Sequence, residues 1–189
     1  GAGVLTGDFN VAVGAGAGLL LQGTATNNTL VGTSAGAAVT TGIQNTLIGA
    51  LAGDGSQTGD ANVAVGYLSF SSVATGDNNT AIGSRSMFTN TSGSENTGLG
   101  KDALYSNTVG SYNVAVGEGA LYTNIDGSQS TAIGRLALYS QEPASAVNML
   151  NTAVGYAAGT TVSLGVQNTF VGAGAGDAIS TGDNNVAVG

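Results

Sequence analysis

Asn79-Thr-Ala-Ile-Gly83 returns 17 residues later as Asn96-Thr-Gly-Leu-Gly100, and again as Asn113-Val-Ala-Val-Gly117. The general motif is Asn or Ser at position 1, three β-favouring or small residues, and glycine at position 5. Eleven copies occur, spaced by 17 residues in eight of ten intervals, by 18 in the first and by 21 across Pro143. A fixed period of this length is typical of solenoids, in which each repeat stacks on the next.

Each motif predicts one short strand followed by a turn, because residues of β propensity lie between an amide and a glycine. A helix is disfavoured in so glycine-rich a unit, since glycine costs about 1 kcal/mol per helical position. We therefore predict an all-β chain that forms a parallel β-solenoid of about ten 17-residue coils. Ten coils would rise roughly 48 Å at about 4.8 Å each. Residues 1–189 then form a single domain, which we interpret as a fragment of a longer fibre or a unit that joins end to end.

Residues outside the motif repeat with the same period. Arg85 and Asp102 share position 7 on adjacent repeats, and Lys101, Glu118 and Arg135 share position 6 on three successive ones. Position 10 holds Phe88, Tyr105, Tyr122 and Tyr139, and position 12 holds Asn90, Asn107, Asn124 and Gln141. Stacked coils would bring these residues together, so we expect ion-pair, aromatic and amide ladders.

The motif asparagines and glycines are predicted to be structural ladders rather than binding groups. Stacked asparagines satisfy one another and the turn backbone. No helix follows the glycines, as a phosphate-binding loop would require, so they serve turns with positive φ or close chain approach. The predicted ladder residues are Asn28, Asn45, Asn62, Asn79, Asn96 and Asn113, with Gly32, Gly49, Gly66, Gly83, Gly100 and Gly117.

Both faces of each strand are apolar or small, and this bears on self-association. We interpret position 2 as inward and expect position 3, including Leu30, Leu47 and Phe170, to be exposed in a monomer. Such an apolar strip indicates an interface, and hence a homotrimer or an end-to-end filament. Alternatively, a second strand at positions 8 to 12 covers that face. Coils near the ends carry Ala-Gly at positions 8 and 9, which predicts a slimmer cross-section there.

The composition argues against several classes of function. The chain has 33 glycines, no cysteine and no histidine. Without cysteine and histidine the usual metal ligands and general bases are missing, so we expect the protein to have no metal site or cofactor and not to be an enzyme. With three cations and a net charge of −8, the chain is not expected to bind nucleic acid. No apolar run approaches the roughly 20 residues of a membrane span. Asp60 and Asp77 share position 16 and are the carboxylate pair at glycosidase spacing, but their glycine turns favour capping over polysaccharide cleavage. Ice binding is disfavoured because the position-2 threonines alternate with valine and are interpreted as inward.

One stripe of side chains is the candidate for partner contact: Tyr105, Tyr122 and Tyr139 with Asn107 and Asn124. Such side chains combine apolar area with hydrogen-bonding groups, as binding surfaces do. The alternative is that the stripe forms the core of a trimer.

The repeats also resemble those of known fibres. Asn79-Thr-Ala-Ile-Gly-Ser-Arg-Ser86, Ser130-Thr-Ala-Ile-Gly134 and Asn62-Val-Ala-Val-Gly66 resemble the head repeats of trimeric autotransporter adhesins, which form a left-handed parallel β-roll. Asn151-Thr-Ala-Val-Gly-Tyr156 and Ala103-Leu-Tyr-Ser-Asn107 look similar to bacteriophage tail-fibre repeats. The resemblance covers nearly the whole chain, although this unit is longer than the usual adhesin-head repeat. It implies a homotrimeric, extracellular structural or adhesive fibre at a cell surface that attaches to host glycan or protein. The alternative is a receptor-binding fibre on a virion.

Overall fold

The computed structural model describes residues 9–55, 57–72 and 74–189. Each motif contributes one three-residue strand at positions 2 to 4. The strands are β1 (Val11–Val13), β2 (Thr29–Val31), β3 (Thr46–Ile48), β4 (Val63–Val65), β5 (Thr80–Ile82), β6 (Thr97–Leu99), β7 (Val114–Val116), β8 (Thr131–Ile133), β9 (Thr152–Val154), β10 (Thr169–Val171) and β11 (Val186–Val188). The part of the predicted domain that covers residues 1–8 lies outside the described residues.

All eleven strands form one parallel sheet whose spatial order is the sequence order. Pairing is in register throughout, so that position 2 of one strand faces position 2 of the next, as in Thr80↔Thr97 and Thr97↔Val114. The 21-residue interval does not disturb this register, since Thr131 pairs with Thr152 and the exposed residues 144–148 bulge from the coil. The predicted parallel β-solenoid with one motif per coil is therefore confirmed.

Backbone hydrogen bonds run along the solenoid axis and repeat at every step. The position-2 amide of each coil donates to the position-1 carbonyl of the next, and these ten bonds are all 2.8 or 2.9 Å long. The position-5 glycine donates in the opposite direction, to position 4 of the preceding coil, as Gly100 does to Ile82 at 2.8 Å. Each coil is thus tied to both neighbours by equivalent bonds.

Two kinds of turn residue close each coil. The residue before every motif is left-handed, with φ between 55° and 61° in all eleven cases, although none of them is glycine. Position 5 has φ between 128° and 149°, where side chains are rarely tolerated. A Cβ on Gly100 would also lie 2.7 Å from the carbonyl carbon and oxygen of Gly117 in the next coil. Position 5 must therefore be glycine on both conformational and packing grounds.

The interior of the solenoid is lined by position 3, which corrects the predicted orientation of the strands. Leu30, Leu47 and Phe170 are fully buried, and so are the position-3 alanines of β4, β5, β7, β8 and β9. The position-8 residues, Ala or Ser throughout, lie buried beside them. The prediction that position 3 is exposed in a monomer is wrong because the coil closes around this face of the strand. Neither face could be assigned from polarity, since both are apolar.

Positions 2 and 4 point outward instead, and we call these two rows of β1–β11 the outward strip. Ile48, Ile82 and Leu99 at position 4 are 37 to 44% exposed, and the position-2 residues are half-buried in every strand but the two terminal ones. Position 2 carries threonine in seven strands and valine in four, and position 4 carries Val, Ile or Leu. An apolar strip therefore exists, but on the face opposite to the predicted one.

Position 9 completes the interior and is complementary to position 3. In the five coils of β4 to β8, position 3 is small and position 9 is large and buried, as in Ala81 with Met87 and Ala115 with Leu121. Where position 3 is large, position 9 is glycine, and a Cβ on Gly53 would lie 2.6 Å from Leu47 Cδ1. The coils of Leu30, Leu47 and Phe170 are therefore not slimmer than the central ones, which corrects the prediction, because their large position-3 side chain fills the space that position 9 leaves. In the coil of Ala153 and Gly159 both residues are small, and Phe170 of the next coil lies against Gly159.

Candidate functional site

The aromatic side chains at position 10 form a continuous stack on the outside of the central coils. Ring centroids are 5.3 Å apart for Phe88 and Tyr105, and 5.0 Å apart for the next two pairs, Tyr105–Tyr122 and Tyr122–Tyr139. Adjacent rings are within 14° of parallel, so they cover one another's faces and leave their edges to solvent. Partial burial, and then the neighbouring tyrosines, raise the pKa of the Tyr122 phenol. The Tyr122 phenol is thus neutral at physiological pH, and the three tyrosines present a row of hydroxyl groups.

The amides predicted to accompany the tyrosines do not lie on the same surface. Asn107 and Asn124 are fully buried. Asn107 Nδ2 donates to Asn90 Oδ1 at 2.6 Å and to the Gly110 carbonyl at 2.9 Å. Asn124 Nδ2 donates in the same way to the Gly127 carbonyl at 2.8 Å. The predicted partner-contact stripe is therefore wrong in its amide half, and only Tyr105, Tyr122 and Tyr139 are available to a partner.

An ionic ladder runs beside the tyrosines, as the shared positions predict. Arg85 Nε lies 2.8 Å from Asp102 Oδ1, Lys101 Nζ lies 3.6 Å from Glu118 Oε1, and Arg135 Nε lies 3.3 Å from Glu118 Oε2. The hydrogen bond to Asp102 is the main reason that the pKa of Arg85 is raised above its ordinary value. Every cation of the chain is in this ladder, so its charges are largely neutralised locally.

Two of these cations also lie over aromatic rings. The Arg85 guanidinium carbon is 5.4 Å from the ring centroid of Tyr105, and that of Arg135 is 5.9 Å from the centroid of Tyr156. Both distances are within the range of a cation–π interaction. The tyrosine stack and the ionic ladder therefore form one continuous surface on the central coils.

The motif asparagines form a buried ladder inside the turns. In eight of the ten motif asparagines, between Asn28 and Asn168, Nδ2 donates to the position-15 glycine carbonyl of its own coil, as in Asn45 to Gly59 at 3.0 Å and Asn62 to Gly76 at 2.9 Å. The Oδ1 of these residues accepts the backbone amide of the first residue of the next motif, as Asn45 Oδ1 does from Asn62 at 2.9 Å. The side chains are thereby fully engaged with the backbone, which is the structural role that we predict for them.

In one coil the motif asparagine is missing, and a residue from position 12 restores the continuity of the ladder. Ser130 replaces the asparagine and is too short to reach the next motif. Gln141 fills the gap: its Nε2 donates to Asn124 Oδ1 at 2.9 Å, and its Oε1 accepts from Asn151 Nδ2 at 2.9 Å and from the Ser130 hydroxyl at 3.2 Å. Sequence reasoning missed this coupling. The sequence does contain a signal for it. Four coils carry an amide at position 12, and the one that has glutamine there instead of asparagine is also the coil with serine at position 1.

The position-16 carboxylates act as caps on the turns. Asp60 Oδ1 accepts the backbone amide of Ile43 at 2.8 Å, and Asp77 Oδ1 accepts that of Asp60 at 2.8 Å. Serines take over the same task in later coils, since Ser94 Oγ accepts the amide of Asp77 at 3.1 Å. Both aspartates are therefore engaged in the same kind of capping bond as the serines.

The seven threonines of the outward strip differ from other threonines of the chain. They are Thr29, Thr46, Thr80, Thr97, Thr131, Thr152 and Thr169. Thr89 and Thr123 elsewhere donate to carbonyls of the next coil at 2.8 and 2.9 Å. The hydroxyls of the outward strip, by contrast, have no hydrogen-bond partner among the described residues and are not among the buried polar atoms. These hydroxyls therefore face solvent.

Three further features concern the described part of the chain. Within those residues there is no cluster of three or more metal-ligating side chains. No ligand-sized cavity was found there either. None of the described segments forms a helix of the length and apolarity that crossing a membrane requires.

The fold and its ladders define a single-sheet parallel β-solenoid built from 17-residue coils. No protein-family model, curated protein or solved structure matches the chain.

Proposed function

We propose that the chain is a shaft or head segment of an extracellular structural or adhesive fibre. The observation that carries the proposal is that backbone and side-chain ladders run along one axis through all eleven coils. Ten equivalent strand bonds and the asparagine ladder connect successive coils, so that every step along the axis is held by the same kind of bonds. A rod of this kind is suited to holding a binding surface away from the structure that anchors it.

The tyrosine stack and the ionic ladder are the surface that we propose for adhesion. Tyr105, Tyr122 and Tyr139 present phenol edges about one coil apart, next to Arg85 and Asp102. Phenol and guanidinium groups together offer apolar area and hydrogen-bond donors, which fit the hydroxyl-rich surface of a glycan or a polar protein surface. The partner is accordingly proposed to be a host-surface glycan or protein.

End-to-end association is the mode of self-association that we propose for the fibre. Successive coils pair through the same in-register bonds at every step, so coils of matching period from a second chain can pair in the same way. An unpaired strand edge pairs readily with another strand of matching period. The lateral homotrimer was inferred from an exposed apolar strip at position 3. That argument no longer holds, because Leu30, Leu47 and Phe170 lie in the interior.

Binding to cells or to a glycan array, measured together with electron microscopy of the same sample, tests this function. We expect rods, and binding that falls at least tenfold in Tyr122→Ser. Serine already occupies position 10 in the coil that contains Ser71, so the variant should fold. Tyr112→Ala is the matched control, because Tyr112 is exposed outside the stack and Ala61 occupies the equivalent position. Globular particles, or equal binding by Tyr122→Ser and the control, would refute the proposal.

A further inference from the structure

The outward strip carries no charge over its whole length. Positions 2 and 4 of β1–β11 hold only threonine, valine, isoleucine and leucine. The 14 charged residues of the chain, three cations and eleven acids, all lie at other positions. The strip is therefore a neutral surface of methyl groups and hydroxyls on an otherwise acidic protein.

The hydroxyls of the strip are available and lie on regularly spaced rungs. The seven position-2 threonines have no hydrogen-bond partner among the described residues, unlike Thr89 and Thr123 on the turns. In-register pairing puts successive rungs about 4.8 Å apart along the axis and the two rows about 7 Å apart across each strand. The ten position-2 hydrogen bonds differ by no more than 0.1 Å, from 2.8 to 2.9 Å, so the spacing is regular along the whole strip.

A second protein copy is a poor occupant for this strip. Its area is on the order of 340 Å² (~48 Å by ~7 Å). A stable protein interface buries about 800 Å² per partner, more than twice that area. In a dry interface, a threonine hydroxyl that faced a methyl group would also lack a partner, at a cost of about 1 to 3 kcal/mol.

We propose that the outward strip is an ice-binding face. Water in an ice lattice is neutral, donates and accepts hydrogen bonds, and repeats at distances close to the rung and row spacings of the strip. Threonine hydroxyls can join such a lattice, and the methyl groups of Thr, Val and Ile fill the hollows between its water molecules. Valine at position 2 of β1, β4, β7 and β11 keeps the relief of the surface while omitting a hydroxyl. The objection raised from the sequence, that position 2 points inward, is removed by the structure.

Thermal hysteresis and ice-crystal shaping of the purified chain test the proposal. We expect the wild type to show both, and Thr97→Lys, in the central strand β6, to lose at least nine-tenths of the hysteresis. The control is Val109→Lys, which places the same side chain at an exposed position 14, where other coils carry Ser92 and Asp126. This control should keep the wild-type value. Circular dichroism establishes that each variant is folded.

A second variant separates the hydroxyls from the shape of the strip. The variant Thr80→Val/Thr97→Val/Thr131→Val removes the three hydroxyls of β5, β6 and β8, and the strand between the last two, β7, already carries valine. The fold is kept, because valine is native at this position in four strands. We expect its hysteresis to fall at least threefold.

Three results would overturn the proposal. The first is a folded wild type without hysteresis, and the second is full activity in Thr97→Lys or in the triple valine variant. The third is a wild type that sediments as an oligomer that Thr97→Lys dissociates, which would assign the strip to a second copy of the chain. Adhesion and rod formation are measured separately, so that the proposed fibre function can stand if ice binding fails.

Discussion

The position-5 glycine is the residue on which each coil most depends. Its φ near 135° is a conformation that other residues adopt at a cost of about 1 to 3 kcal/mol, and the next coil leaves no room for a Cβ. Because a side chain introduced at position 5 would face the neighbouring coil, it would disturb the stack and not only the turn in which it lies. The exposed ion pairs contribute much less, about 0 to 1 kcal/mol each.

We therefore predict that Gly100→Val lowers the free energy of unfolding by about 3 kcal/mol or more. Glu118→Ala removes two exposed ion pairs and should change it by about 2 kcal/mol at most, at about 0 to 1 kcal/mol per pair. Denaturant unfolding of the two variants beside the wild type gives the comparison. Equal midpoints for both variants would contradict the account of the glycine.

Gln141 should be the most sensitive side chain of the amide ladder. Gln141→Ala removes the bridge between Asn124, Ser130 and Asn151 and leaves buried polar groups without partners. At about 1 to 3 kcal/mol for the unsatisfied groups, we expect a clear loss of stability in thermal or denaturant unfolding. Gln22→Ala, on an exposed glutamine, is the control and should be neutral. The bridge would be dispensable if Gln141→Ala were as stable as the wild type. The same conclusion would follow if adding Ser130→Asn to Gln141→Ala restored none of the lost stability.

At the scale of the element, one strand and its facing turn share a fixed volume. In the coils of β2 to β8 and of β10, the interior accepts one large side chain, from position 3 or from position 9, as in Leu47 with Gly53 and Ala115 with Leu121. Sequence comparison of the coils revealed the two subtypes but not their equivalence. The repeat alone does not reveal this equivalence, because positions 3 and 9 face each other only once the coil has closed.

This exchange predicts coupling in a double-mutant cycle. Leu121→Gly alone should cost about 2 to 5 kcal/mol through the cavity that it opens, and Ala115→Leu alone about 1 to 3 kcal/mol through overpacking. The double variant recreates the arrangement of the coil with Leu47 and Gly53, so its loss should be smaller than that of Leu121→Gly. Unfolding free energies of the four proteins measure the coupling. Additive losses would mean that the two positions do not share one space.

At the scale of the whole molecule, the period predicted the fold almost completely. Charge and aromatic residues at equal positions, such as Arg85 with Asp102, were enough to predict stacking, and the structure places them in contact. The orientation of the strands was predicted wrongly, since Thr-Ala-Ile gives no polar face to mark the outside. Burial of Asn107 and Asn124 was missed for a related reason, because their partners are backbone carbonyls that a sequence does not reveal.

The orientation of the strands decides which rows of side chains the molecule presents, and cysteine labelling tests it most directly. The chain has no native cysteine, so Thr131→Cys, Ala132→Cys and Ile133→Cys place one thiol each on successive residues of β8. In the folded protein, Thr131→Cys and Ile133→Cys should react readily with a maleimide, while Ala132→Cys should react at least tenfold more slowly. All three should react alike in denaturant. A folded Ala132→Cys variant that reacts as fast as its two neighbours would contradict the closed coil and the outward strip together.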